Sequence, residues 1–242
     1  MSTRFPTREE FACIVETILI PSFPAAERPE KTGFMEMFDA GEIYALATFD
    51  QQTPTGISIS FLPCAGNGSI DHADTMAGRS HSNCTVILLS WLAVGEAGRG
   101  KGVGSRLLDE TVEILTKEHD PFLILIEVED PHVHTEVTAY GDPLARMKFY
   151  ERAGARRINL PFAMPREDIT ADVLPGMLLY SIGGYAHHAP PESDLPLGRC
   201  LTRFLRAYAQ RAGEPQHSDG SFVHPDIDRM IRHAPMATFA DR

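Results

Sequence analysis

Basic residues are scarce in this chain: of its 242 residues, 22 are Lys or Arg against 33 Asp or Glu, a formal net charge of −11. Such a surface repels a phosphate backbone, which argues against a nucleic-acid binder held by phosphate contacts. Its acidity would suit a cationic substrate, and it would equally serve solubility alone. Long apolar runs are missing too. No stretch approaches the roughly 20 apolar residues that a bilayer-spanning helix requires, and residues 1–6 lack the apolar centre of a signal peptide. A cytoplasmic protein without membrane association is expected. Cysteine is limited to Cys13, Cys64, Cys84 and Cys200, with no C-x-x-C pair. Reduced thiols and no zinc cluster follow as expectations. The chain carries no internal repeat, and its length allows one domain with a full core and appendages.

Glycine, in contrast, is concentrated at one place. Residues 91–108 read as an apolar strand, a turn holding Gly98, Gly100, Gly102 and Gly104, and the start of an amphipathic helix. Glycines let the backbone fold tightly with its N–H groups pointing inward, and a helix start adds unpaired amides and the positive end of its dipole. Phosphate or pyrophosphate is the natural occupant. A P-loop is excluded because no Ser or Thr follows Gly100-Lys101 in the required register. A Rossmann fingerprint fits poorly, since Gly98, Gly100 and Gly102 give G-x-G-x-G, one residue short in the last spacing.

The segment does match R-x-x-G-x-G through Arg99, Gly102 and Gly104. This resembles the coenzyme A pyrophosphate loop of the GNAT N-acetyltransferase superfamily. The surroundings are consistent with it. Val103, Leu107, Leu108, Val112, Ile114 and Leu115 fall on one half of a helix, and Arg106, Asp109, Glu110, Glu113 and Lys117 on the other. His119-Asp120-Pro121 stops that helix, and residues 122–128 form the continuous apolar run of a strand covered on both faces. Downstream, Asp142 is placed as an N-cap, Pro143 as the first helical residue and Gly154 as the terminator of a second helix. Its Phe149-Tyr150-Glu151-Arg152-Ala153-Gly154 resembles the Phe-Tyr-Glu-x-x-Gly signature of the same superfamily, whose tyrosine lies beside the acyl-CoA sulfur.

Elsewhere the pattern predicts further elements. Thr7 and Glu10 form a capping-box pattern opening a helix to about residue 20, which Pro21 ends. Pro21-Ser22-Phe23-Pro24 through Glu27-Arg28 resembles the Ser-Phe-Pro turn between the first two GNAT helices, where residues often face the acceptor, and a short helix is expected over 30–38. Residues 42–49 and 56–62 read as an antiparallel strand pair joined by a turn over 50–55, and 65–83 as a long loop. Strands over 85–94, 156–160 and 177–182 complete the sheet. His187, His188 and the prolines after them read as a linker. Residues 195–211 follow as a helix whose Leu197, Leu201, Phe204, Leu205 and Tyr208 stripe needs a partner, either the domain or a second subunit in a homodimer.

The expected fold is α/β (α+β) of the GNAT type, a mixed, mainly antiparallel twisted sheet flanked by helices. Residues 1–183 would form the acyltransferase domain and 184–242 a linker and C-terminal helical extension. The resemblance implies acetyl-CoA as acyl donor and transfer to a primary amine by direct attack through a tetrahedral intermediate. The backbone from Gly100 through Lys101, Gly102, Val103 and Gly104 to Ser105, with Arg99, would bind pyrophosphate, and Leu92, Ala93 and Val94 the pantetheine arm. Glu127 and Glu129, two apart on one face of an apolar strand, are the candidate bases. Ile126-Glu127-Val128 resembles the catalytic strand of ribosomal-protein N-terminal acetyltransferases and favours Glu127. The glutamate of histone-acetylating members is replaced here by Leu88. Glu127 and Glu129 could instead be a strand-end pair that only tolerates solvent or pairs with Arg146. Tyr150 is the candidate acid. His132 and His134 share a strand face but lack a clear further ligand, so no metal is expected. The acceptor is expected to be a small-molecule amine rather than a protein, nucleic acid or membrane component. The alternative is a non-catalytic acyl-CoA-binding or regulatory module.

Overall fold

The computed structural model describes residues 1–62, 84–165, 173–189, 195 and 197–240. Cys64 and the expected 65–83 loop lie outside the described residues. After an edge strand β1 (Ser2–Arg4), Thr7 caps the first helix as its sequence pattern predicts. The Thr7 hydroxyl accepts from the Glu10 N–H at 3.3 Å, and the Glu10 carboxylate accepts from the Thr7 N–H at 2.8 Å. Helix α1 (Arg8–Ile14) runs through a π-helical stretch, Val15–Leu19, into the short α2 (Ile20–Ser22), and α3 (Lys31–Asp39) follows.

Eight strands form one sheet in the order β1-β2-β3-β4-β5-β7-β6-β8. Strands β2 (Ile43–Asp50) and β3 (Thr53–Phe61) make the expected antiparallel pair, with a turn tighter than the sequence suggests: Asp50 pairs with Thr53, and Gln51 takes a φ of +56°. Strands β4 (Val86–Val94) and β5 (Leu123–Glu129) are parallel neighbours joined by α4 (Val103–His119), and every other neighbouring pair is antiparallel. Helix α5 (Pro143–Arg152) begins with the Asp142 carboxylate accepting from the Leu144 N–H at 2.9 Å. It ends before Gly154 at φ +92°. The sheet closes with β6 (Arg156–Asn159), β7 (Met177–Gly183) and β8 (Thr238–Phe239).

The decisive irregularity is in β4. Pairing with β5 runs from Val86↔Leu123 to Leu89↔Ile126 and stops, although both strands continue. On the other edge Ser60 pairs with Leu89 but Ile59 with Trp91, so Ser90 is an extra residue, a β-bulge. A bulge bends its strand and reverses the phase of its side chains. Before it, Val86 and Leu88 pack with Leu123 and Leu125 on one face, and Ile87 and Leu89 pack with Ile124 and Ile126 beneath α4 and α5 on the other. After it, Trp91 and Ala93 join the cluster under α1 and α3, while Leu92 faces the α4 side.

The chain beyond Gly183 covers the first of these faces. It forms α6 (Tyr185–His188), α7 (Leu197–Arg211) and α8 (Pro225–His233). Leu201 and Leu205 of α7 and Ile227 and Met230 of α8 are fully buried in one cluster with Leu88 and Leu125. A stripe at 3.6-residue spacing on a sheet face is a sufficient partner for its apolar surface. Two expectations are corrected here. His187 is not in an exposed linker: it is 8% exposed, and its Nδ1 lies 3.0 Å from Ser181 Oγ. The thiols are not all reduced, because Cys84, just before β4, and Cys200 on α7 form a disulfide across a Cα separation of 5.1 Å. Sequence spacing concealed it, since the two cysteines are 116 residues apart. Cys13 is free and exposed. Closing so long a loop restricts the unfolded chain, so Cys84→Ala, or reductant added to the wild type, should each lower the urea-unfolding free energy by about 4 kcal/mol.

Candidate active site

Where β4 leaves β5, the backbone of residues 90–94 has no strand partner on its β5-facing edge among the described residues. A cavity of about 240 Å³ fills the gap, with Leu92 and Val94 on one wall and Glu127 and Glu129 on the other. The bulged residue also faces it: the Ser90 hydroxyl oxygen is buried without a hydrogen-bond partner among the described residues. Such a group is costly unless a ligand satisfies it.

One end of the gap leads to the glycine turn. Gly100 and Gly102 have φ of +71° and +72°, which L side chains rarely adopt, and a Cβ on either would meet nothing within 4 Å. They serve backbone conformation rather than packing. Gly98 serves packing: a Cβ there would lie 2.6 Å from the Thr55 carbonyl oxygen. Gly102 caps α4, and the first helical bond described there runs from the Arg106 N–H to the Gly102 carbonyl at 3.2 Å. The N–H groups of Val103, Gly104 and Ser105 precede that bond and form the positive helix end. Gly104 lines the cavity, so this helix end and the cleft are continuous. Arg99, Lys101 and Ser105 are exposed around it. The turn therefore fits an anionic group attached to an elongated ligand lying along β4. Ala93 presents only its backbone to such a ligand, because its side chain is buried in the α1–α3 cluster, and the Val103 side chain is buried likewise.

The other end is acidic. The Tyr208 hydroxyl donates to Glu127 Oε1 at 3.0 Å. Glu129 is ion-paired with Arg146, and His134 Nδ1 lies 4.0 Å from its other oxygen. Arg146 also donates to the Tyr140 carbonyl at 2.9 Å. Glu27, from the turn after Phe23-Pro24, reaches the same cavity. Burial, and then the Glu129 charge, raise its pKa above the usual carboxylate range. Its backbone carbonyl accepts from Trp91 Nε1 at 3.0 Å, which ties the turn to β4. Tyr150 enters from α5 on the opposite face of the sheet and is 8% exposed. Burial, partly opposed by Arg146, pushes its phenol up to about 12. It therefore carries its proton at any ordinary pH.

Glu127, Glu129, Tyr150, Leu92, Val94 and Gly104 are thus brought to one cleft, and the glycine turn stands at its mouth. Leu88 is buried in the core. The histidines of the 130–142 segment do not converge: His132 is exposed, and His134 Nε2 sits 2.7 Å from the Pro175 carbonyl. Among the described residues no group of three or more His, Cys, Asp or Glu side chains could hold a metal ion. The sequence placed Glu27 in a turn expected to face the acceptor without singling it out, and missed the place of Tyr208 in the cleft. The Ser22-Phe23-Pro24 turn was a signal for the first. For the second there was only the apolar stripe, which marks Tyr208 as a packing residue.

No model of a known protein family matches this sequence, and no curated protein does either. Solved structures do match. An acetyltransferase assigned to the GNAT family from Bacteroides thetaiotaomicron superimposes with a TM-score of 0.58 at 22% identity, over 86% of this chain and 99% of that one. NAA60 of Arabidopsis thaliana, in complex with acetyl-CoA, aligns at 18% identity over 76% of this chain and 99% of its own, with a TM-score of 0.49. The chain has the GNAT fold. Within that fold, Gly98 tests the turn: Gly98→Ala should lower stability by about 2 kcal/mol in thermal or urea unfolding, because the methyl group meets backbone that cannot yield.

Proposed function

We propose that the protein is an acetyl-CoA-dependent N-acetyltransferase acting on a small primary amine. The observation that carries this is the meeting of Glu127 and Tyr150, from opposite faces of the sheet, in the gap that opens from the glycine turn. The free N–H groups of Val103, Gly104 and Ser105, with the Gly100 and Gly102 backbone and the Arg99 and Lys101 side chains, bind the donor's pyrophosphate. The unpaired edge of Leu92, Ala93 and Val94 takes the pantetheine arm by strand-like hydrogen bonds and points the thioester toward Tyr150.

The amine enters from the acidic side. Glu127 takes a proton from it, directly or through water, and the freed nitrogen lone pair attacks the thioester carbonyl. The tetrahedral intermediate loses its second N–H proton to water and collapses with cleavage of the carbon–sulfur bond; the Tyr150 phenol protonates the departing thiolate and is reprotonated from solvent. The donor is already activated, so no acyl-enzyme is needed. Glu129 is the less suitable base because its charge is committed to Arg146. The Glu27 carboxylate, set among Phe23, Trp91 and Phe61, supports a cationic amine with an apolar body as the acceptor.

Isothermal titration should give one acetyl-CoA site per chain, and absence of binding would remove the donor assignment. Tyr150→Phe should lower kcat about 100-fold with little change in donor affinity. Because the phenol holds its proton up to about pH 12, that deficit should be uniform across the assay range; wild-type turnover in the variant would remove Tyr150 from the chemistry. Glu27→Gln should raise the acceptor KM about tenfold, the worth of one charge-assisted hydrogen bond, and leave the acetyl-CoA dissociation constant unchanged. An unaltered KM across a panel of amines would exclude Glu27 from acceptor binding.

A further inference from the structure

We infer that Arg28 is a positioning residue for acceptor binding: its guanidinium closes the turn from Phe23 to Pro29 and so sets the Glu27 carboxylate and the Phe23 ring at the cavity wall. The inference rests on the reading of Glu27 as the group that receives the acceptor.

The backbone of this turn does little to hold its own shape. Phe23 and Pro24 are extended after α2, one tight helical turn covers Ala25–Glu27 with the Glu27 N–H donating to the Pro24 carbonyl at 3.0 Å, and Arg28 is extended again. Such a stretch has neither a strand ladder nor a helical repeat. The Arg28 side chain supplies the missing closure. Its Nε donates to the Phe23 carbonyl at 3.1 Å, five residues upstream, and its Nη1 to the Pro29 carbonyl at 3.1 Å, one residue downstream. One planar group with fixed donors thus bridges the two ends of the turn.

That guanidinium is committed to its place. The Arg28 side chain is only 9% exposed, and the exposed Glu30 carboxylate stands 3.8 Å from it. A buried guanidinium is costly unless its N–H groups find acceptors, and the two carbonyls meet that demand. Gly33 lets α3 close on the same turn, since a Cβ there would lie 3.0 Å from the Pro29 Cβ. From the other side Trp91 Nε1 donates to the Glu27 carbonyl at 3.0 Å, and the Trp91 ring is set by Phe34 and Phe61, with centroids 5.1 and 5.5 Å away. Arg28 therefore holds the ends of the turn, and the strand that bears the donor edge holds its middle.

The arrangement turns the Glu27 side chain to the cavity. Glu27 and Phe23 line it, whereas Arg28 makes its bonds to backbone oxygens, so it governs where the carboxylate stands rather than pairing with it. Charges that act on Glu27 come from β5, α5 and the 130–142 segment: Glu129 raises its pKa, and Arg146 and His134 lower it. A cation held by one carboxylate is sensitive to that position, because a displacement of about 1 Å turns a hydrogen bond into a weak contact. Precision of this kind comes from the groups behind the one that touches the ligand. The glycine turn and the edge of β4 stand on other elements, so the acceptor side alone depends on Arg28.

The experiment combines steady-state kinetics, acetyl-CoA titration and thermal unfolding for wild type, Arg28→Met, Arg28→Lys, Glu27→Gln and the Arg28→Met, Glu27→Gln double variant. Phenethylamine, hexylamine and cyclohexylamine serve as acceptors. Met keeps an unbranched apolar stem and removes the donors. Arg28→Met should raise the acceptor KM about 5- to 10-fold, with kcat within about twofold and the acetyl-CoA dissociation constant unchanged. Arg28→Lys, which keeps the charge and a donor, should recover most of that loss. In the Glu27→Gln background Arg28→Met should change KM by less than about twofold. A lowered melting temperature with an unaltered KM overturns the proposal, as does a fully multiplicative effect in the double variant. Should Arg28→Met fail to fold, a wild-type KM in Arg28→Lys is the overturning result; if both variants lose acetyl-CoA binding, Arg28 holds the fold rather than the acceptor wall and the proposal falls. If Glu27→Gln leaves KM unaltered, or wild type acylates none of the three amines, the acceptor reading fails and this inference with it. If Glu27→Gln raises KM and Arg28→Met does not, the positioning role alone is lost.

Discussion

The separation of β4 from β5 at Ser90 governs the rest of this molecule. In a continuous parallel pair, the backbone of residues 90–94 would be consumed by ladder hydrogen bonds and no gap would exist. The inserted residue stops that pairing after four residue pairs and leaves polar backbone that a ligand can use. It also reverses the side-chain phase of β4, sending Trp91 and Ala93 into the α1–α3 cluster. The N-terminal helices and the C-terminal helices can therefore share one face of the sheet, and the turn carrying Glu27 is drawn to the cleft through Trp91.

Electrostatics in the cleft is a matter of how each carboxylate is partnered. Glu129 has a guanidinium, Glu127 a phenol and Glu27 a semi-buried setting close to another negative charge. Those environments give one chemical group different characters: a neutralised anchor that holds Arg146 and the 130–142 segment, a carboxylate that accepts from a phenol, and a carboxylate whose charge is best satisfied by a cation. Tyr150 completes the set from the opposite direction, with burial keeping its proton in place.

Much of this architecture was legible in the residues because local rules governed it. The capping box of Thr7 and Glu10, the Asp142-Pro143 start and Gly154 end of α5, the amphipathic face of α4 and the apolar run of β5 each specify an element without distant contacts. The glycine turn was legible for the same reason, since Gly100, Gly102 and Gly104 are close in sequence. What escaped depends on long-range assembly. The disulfide joins residues 116 apart. His187 resembled a linker residue because its partner Ser181 lies on a strand whose inward face cannot be known beforehand. Glu27 and Tyr208 lie 100 and 81 positions from Glu127. Ser90 gave no warning as a bulge, because the insertion is defined only against the register of β3.

The two halves of the cleft also differ in how the chain builds them. The glycine turn, the exposed edge of β4, Glu127 and Tyr150 all fall within the single continuous stretch from Val86 to Arg152. The opposite wall is gathered from the first thirty residues, the end of β3 and α7, and is locked only once Cys84 and Cys200 have met. A ribosome that has released residues up to 160 has made the glycine turn, the open edge of β4, Glu127, Tyr150 and the N-terminal part of the opposite wall, and lacks α7, which brings Tyr208 to it. Sequence change in the first thirty residues or in α7 can accordingly remodel that wall while the glycine turn and the edge of β4 stay as they are.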